Sequence, residues 1–209
     1  VDPGTGDLTF TPAADANGSA TITITLSDDG GTANGGVDTS PPASFTITVD
    51  PVNDAPSFTA GGDVVVLEDS GAYSQPWASA ISPGPADESG QAVSFLVTGN
   101  SDPALFSAGP SVAPDGTLSF TTAADAAGSA TITVVAMDDG GTANGGVDTS
   151  APASFTIDVS AVNDAPSFTA GPDQVSDEDA GPQSVPGWAT AISAGPPDEA
   201  GQILAFNVT

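Results

Sequence analysis

Lysine, arginine and histidine are absent from this chain of 209 residues, which carries 27 acidic residues and a net charge of −27. No salt bridge between side chains can form, so every carboxylate must be solvated, hydrogen-bonded or neutralised by a cation from outside. A nucleic-acid partner is excluded on these grounds, because binding a phosphate backbone needs a basic surface. Insertion into or attraction to an anionic membrane is disfavoured for the same reason. Cysteine is also absent, so no disulfide holds the fold. A unit of about 110 residues can bury enough core to do without one. With no His, Cys or Lys, the usual general bases, transition-metal ligands and amine or thiol nucleophiles are missing, and an enzyme is not expected. A carboxylate pair of the glycosidase kind is allowed by residue type alone. No run of about 18 apolar residues exists to span a membrane, and no stretch has a helical period. The chain lacks an initiator Met and a signal-like start, so it is expected to be a window on a longer protein.

What is present is a tandem repeat. GGTANGGVDTS occupies residues 30–40 and again 140–150, and VNDAPSFTAG occupies 52–61 and again 162–171, an offset of 110 residues. The offset becomes 111 after Gly187, an extra residue just before Trp188, the counterpart of Trp77. A period of that length is a whole domain rather than a solenoid unit. Residues 1–54 then read as the second half of one repeat, 55–164 as one complete repeat, and 165–209 as the first half of the next. Thr209 corresponds to Thr98 and Val1 to Ser111, so the two partial copies are expected to be completed by neighbouring copies of the same repeat.

Period-two alternation marks the strands. Residues 20–26 (ATITITL) and 130–137 (ATITVVAM) turn Thr outward and aliphatic residues inward. Residues 44–49 and 154–159 repeat the pattern around Phe, Ile and Val, and β-branched residues fill these positions as strand propensity favours. Further strands are expected at 8–10, 64–67, 77–81, 92–98, 105–106, 118–120 and 203–209. DDGG, NGG and PDG segments fall between them as turns. Seven strands per complete repeat, with turn signals about every ten residues, predict an all-β protein of antiparallel β-sandwiches of immunoglobulin size, joined end to end as a rod. Trp77 is expected in or at the edge of the core.

The segments ATITVVAMDDGG at 130–141, SFTIDV at 154–159 and VNDAP at 162–166 resemble the end of a cadherin-like domain. DESGQAVSFLVTGNSDPALFS at 87–107 is similar to the first half of one. The nearest resemblance is to the bacterial Ig-like and cadherin-like tandem repeats of large surface and secreted proteins. It covers essentially the whole chain and implies an extracellular rod, often stiffened by Ca²⁺ at its junctions, that serves adhesion or matrix formation. A host or surface receptor is a partner it also implies. The ligands it implies are Asn53, Asp54, Asn163 and Asp164 from the linkers; Glu68, Asp69, Glu178 and Asp179 after the first strand; Asp87, Glu88, Asp198 and Glu199 before the third; and Asp28 and Asp138 at the end of the penultimate strand. Asp125, with its counterpart Asp15, is a looser match. The linker departs from the family's Asp-x-Asn-Asp, since Pro51 and Ala161 stand where the first Asp belongs.

Residue type supports the same ion independently. Only Glu68, Glu88, Glu178 and Glu199 are glutamate and the other acids are aspartate, a compact hard-cation ligand as well as a turn former. Two carboxylates about 5 Å apart repel by roughly 3 kcal/mol in an effective dielectric near 20, and a divalent ion between them reverses the sign. Asn53, Asp54, Glu68, Asp69, Asp87 and Glu88 are expected to gather near one end of the sandwich. The competing reading is that the acids are solvated and screened by salt. Two functions stand at this point: a structural segment of an adhesin stalk or filament, and a module whose loops bind a glycan or a protein. Identical GGTANGGVDTS loops favour the first, because a binding module would vary its loop tips. Asn17 and Asn207 open glycosylation sequons by pattern, but neither recurs in the other copy.

Overall fold

The computed structural model describes residues 1–208 and is nearly all β. The first strand pair is β1 (Gly18–Ile24) with β2 (Ala43–Val49). Nine strands follow: β3 (Ser57–Thr59), β4 (Val64–Leu67), β5 (Ala72–Pro76), β6 (Ser79–Ser82), β7 (Ser94–Asn100), β8 (Phe106–Val112), β9 (Thr117–Thr122), β10 (Gly128–Met137) and β11 (Ala153–Ser160). The last pair is β12 (Ser167–Thr169) with β13 (Thr190–Ser193). Among the described residues, the only helical segments are three-residue 3₁₀ turns. No helix is long and apolar enough to cross a membrane.

Residues 57–160 form a β-sandwich-like unit. One sheet has the order β4-β11-β10-β7 and the other the order β5-β9-β8, with β3 and β6 as a separate pair. Alternation drives the packing. β9 buries Leu118, Phe120 and Thr122, and β11 buries Phe155, Ile157 and Val159, while their neighbours face outward. Outward Thr and Ser pair across the strands, as between the Thr133 and Ser154 hydroxyls at 3.0 Å. Trp77 lies at the centre of an aromatic cluster, 4.4 Å from the Phe155 ring, with Phe58 set edge-on to Phe95 at 5.1 Å. Its indole nitrogen donates to the Gly62 carbonyl at 3.2 Å. Gly61 lies so close beneath the indole that a Cβ there would collide with it. The expected core position of Trp77 is met, and full burial of an aromatic of this size stabilises by roughly 2–3 kcal/mol.

Several expectations are corrected. The unit has nine strands rather than seven, because the short β3 and β5 carry little alternation. The sheets are mostly antiparallel, but the edge strand β4 runs parallel to β11. The strand expected at 77–81 begins at Ser79, since the Trp77 and Ala78 amides both donate to the Gly116 carbonyl at 2.9 Å instead. Residues 105–106 are the entry to the longer β8. Residues 8–10 and 203–208 are not strands, and Thr209 lies outside the described residues. Their equivalents, β9 and β7, are held by β5, β8 and β10, and among the described residues no strand pairs with residues 8–10 or 203–208.

The two partial copies keep their strand pairs but not their burial. β1 pairs with β2 in the register of β10 with β11, Ile22 opposite Phe45 as Ile132 is opposite Phe155. The loops 30–40 and 140–150 also match, with left-handed Asn34 and Asn144. Ile132 and Val134 are fully buried, whereas Ile22 is half-buried and Ile24 exposed.

Candidate metal centre at the acidic ends

Acidic side chains from separate turns meet at the end of the sandwich where β4 and β11 finish. Asp69 follows β4 in a two-residue turn at φ 57°, and Asp125 lies in the β9–β10 turn at φ 54°. Asp tolerates this left-handed backbone better than most residues, because its short side chain bonds locally. Asp164 comes from the linker after β11. One carboxylate oxygen from each of Asp69, Asp125 and Asp164 lies within 4.8 Å of the others. That is the span of two oxygens on opposite sides of one Ca²⁺ at about 2.4 Å each. Burial and the neighbouring Glu199, Asp125, Asp69 and Asp198 carboxylates push the Asp164 pKa above the usual aspartate range.

Two buried glutamates frame this cluster. Glu68 is 2% exposed, and one of its oxygens accepts from the Val162 amide at 2.6 Å. Glu199, 4% exposed, accepts from the Asp164 amide at 2.6 Å. The second oxygens of both glutamates, and Asp164 Oδ2, are buried with no hydrogen-bond partner among the described residues. Leaving a charged oxygen buried and unpaired is costly, and no basic side chain exists to pair with it. The residues therefore fit a bound divalent ion: all-oxygen donors, converging carboxylates and unsatisfied buried oxygens.

The other end of the sandwich repeats part of this arrangement. The Asp54 amide donates to buried Glu88 at 2.8 Å, as Asp164 does to Glu199. Gly84 and Gly195 press against these two glutamates so closely that a Cβ on either would collide with the carboxylate. Asp15, Asp50, Asp54 and Asp87 line a cleft there with Asn17, whose amide nitrogen donates to Asp87 at 2.6 Å.

The expected single cluster is thus divided. Asn53, Asp54, Asp87, Glu88 and Asp138 stand at one end, and Glu68 and Asp69 at the other. A parallel β4–β11 pair carries the end of β4 to the end of β11, away from the β10–β11 loop that holds Asp138. Asn53 is hydrogen-bonded throughout: its amide nitrogen donates to Asp138 at 2.9 Å and to the Val147 carbonyl at 2.7 Å, and its oxygen accepts from Gln91 at 2.8 Å. It fastens the linker to the β10–β11 loop. Asn163 repeats the Gln contact, accepting from Gln202 at 3.0 Å. Asp138 also accepts from the Gly140 amide, and its Oδ2 is buried and unpartnered. Asp28, exposed, holds only its own turn, accepting from the Gly30 amide at 2.9 Å. Glu178 and Asp179 are exposed, and Asp198 is exposed beside Glu199.

Reasoning from sequence missed the Gln91 and Gln202 clamps and the Gly84 and Gly195 cradles. Their recurrence in both copies was the available signal. No protein-family model matches the chain, and no curated protein sequence matches it.

Proposed function

We propose that the chain is a non-catalytic structural segment of tandem Ig/cadherin-like β-sandwiches, stiffened by Ca²⁺ where consecutive repeats meet. The observation that carries this reading is the convergence of Asp69, Asp125 and Asp164 beside the buried, unpaired oxygens of Glu68 and Glu199. These acids come from both sides of the linker, so one ion there would tie two repeats together. The residues that would hold it are Asp69, Asp125 and Asp164, with Glu68, Glu199 and Asp198 beside them. Calcium suits the site better than magnesium, which holds its water and demands a stricter octahedron. The segment builds length in an extracellular adhesin stalk or filament, next to neighbouring copies of the same repeat. The identical loops at 30–40 and 140–150 favour this role over a glycan- or protein-binding module.

Thermal melts at constant ionic strength test the reading. At calcium a hundredfold above its dissociation constant, linkage stabilises by about 2.7 kcal/mol per site. The melting temperature should rise by several degrees over the value in chelator, and Asp125→Asn should abolish most of the rise. Identical melts with calcium and chelator would leave salt screening as the explanation of the acids.

A further inference from the structure

The two linkers differ in one chemical respect. The first passes from β2 into the next repeat through Asp50–Pro51, and the second passes from β11 through Ser160–Ala161. An aspartate followed by proline holds a nucleophile and a leaving group on the same peptide bond. The bond is a tertiary amide whose nitrogen carries no hydrogen, and the ring amine leaves readily once protonated. Asp–Pro bonds occur in this chain at Asp2, Asp50 and Asp102. The fold holds two of these carboxylates. Asp2 accepts from the Thr5 and Gly4 amides at 3.0 and 2.8 Å, and these bonds keep its pKa below the usual aspartate range. Asp102 caps the turn at Pro103–Leu105, accepting from the Ala104 amide at 3.2 Å. Asp50 is exposed, as is Pro51, and among the described residues no donor holds its carboxylate. Ser160, at the same position of the complete sandwich, is exposed as well. The side chain at this position therefore faces water with every neighbouring strand in place.

We propose that the Asp50–Pro51 bond is a self-cleaving, acid-triggered link between repeats. An Asp50 side-chain oxygen attacks the residue's own backbone carbonyl carbon and closes a cyclic anhydride. The bond from that carbon to the Pro51 nitrogen breaks, its electron pair stays on nitrogen, and nitrogen takes a proton and leaves as a secondary amine. Water then opens the anhydride, and residue 50 ends its fragment with two carboxyl groups. Acid and water are the only reactants. The cleft supplies the acid locally. Asp50 lines it with Asp15, Asp54 and Asp87, and Glu88 lies in the adjoining space. A cleft of one sign of charge concentrates counter-ions, hydronium included. Cleavage separates residues 1–50 from 51–209 and leaves the second linker intact. The inference is independent of the calcium reading.

Intact mass of the 209-residue chain, followed in chelator at the lowest pH between about 4 and 5 that keeps its folded circular dichroism, tests the link. The folded chain should yield the fragments 1–50 and 51–209 before any cut at Asp2 or Asp102. At pH 7 it should stay whole. In urea at the same acid pH the three bonds should break at comparable rates, since the turn and cap that hold Asp2 and Asp102 are then lost. Asp50→Asn removes the nucleophile and Pro51→Ala installs the residue of the second linker. Each should slow the cut by roughly tenfold or more, because an oriented intramolecular nucleophile is worth more than that. No cut at residue 50, equal rates at the three bonds in the folded chain, or variants that cleave as fast as the unaltered chain each overturn the proposal. The same preference for Asp50 in urea would overturn the claim that the fold selects it.

Discussion

Ile157 and Ile47 are the same residue of the repeat in two settings, and replacing each by alanine separates core burial from strand pairing. Ile157 is fully buried on β11, opposite Ala130 on β10 and Val64 on β4. Ile47 lies on β2 opposite Ala20, with the same cross-strand neighbour but no facing sheet, and is half-buried. Truncating a fully buried isoleucine removes its transfer free energy and leaves a cavity, at a cost of about 3 kcal/mol within a range of about 2–5. For a unit of this size each kcal/mol moves the midpoint by roughly 4 °C, so Ile157→Ala should lower it by about 10 °C or more. Ile47→Ala removes a side chain that still faces water and should move the same transition by roughly 2 °C or less. The assay is a thermal melt in chelator at low protein concentration, where neither calcium nor association contributes. Equal effects from the two substitutions would refute the claim that the central sandwich alone carries a closed core.

Acidity should act with opposite sign in the two metal states. The Asp164 pKa is raised in the fold by burial and by its acidic neighbours, so the folded state holds that proton more tightly than the unfolded chain. In chelator its effect on stability is therefore unfavourable at neutral pH and is relieved as the pH falls toward the ordinary aspartate value of about 4. In calcium, the same protonation removes a ligand, and the calcium increment should shrink over that window; melts between about pH 7 and pH 4.5 check both. Gly84→Ala should destabilise by disturbing the Glu88–Asp54 contact, whereas Gly62→Ala, which meets open space, should be near neutral in the same melts. Asn53→Ala strips one partner each from the Asp138 carboxylate, the Val147 carbonyl and the Gln91 side-chain amide, costing about 1–3 kcal/mol. It should raise hydrogen exchange at Val147, whose amide donates to the Asn53 carbonyl.

The long strands were legible because β11 alternates throughout and β10 alternates from Ser129 to Val134, before Val135 and Ala136 are buried in succession. β10 and β11 carry Ile and Val inward and Thr outward, and their hairpin partner follows in sequence. The short β3 and β5 were not legible, since SFT and AYSQP are too short to show a period and depend on partners farther along the chain. Residues 8–10 and 203–208 have strand-like sequences, and among the described residues no strand pairs with them. At the acidic ends, residue type pointed to the right side chains and the topology divided them. A parallel β4 beside β11 cannot be read from composition, and it sends Glu68 and Asp69 to the far end from Asn53. The linker asparagine looked like a ligand and is a clasp, because its amide group finds Asp138 and Val147, 85 and 94 residues away in sequence, and Gln91, 38 residues away.

Calorimetric titration of calcium into the monomeric chain tests the central claim most directly. Asp69, Asp125 and Asp164 form one complete cluster, so the account predicts one saturable site per chain, lost in Asp125→Asn and not filled by magnesium at equal concentration. A titration with no saturable heat, or one unchanged by Asp125→Asn, would contradict it.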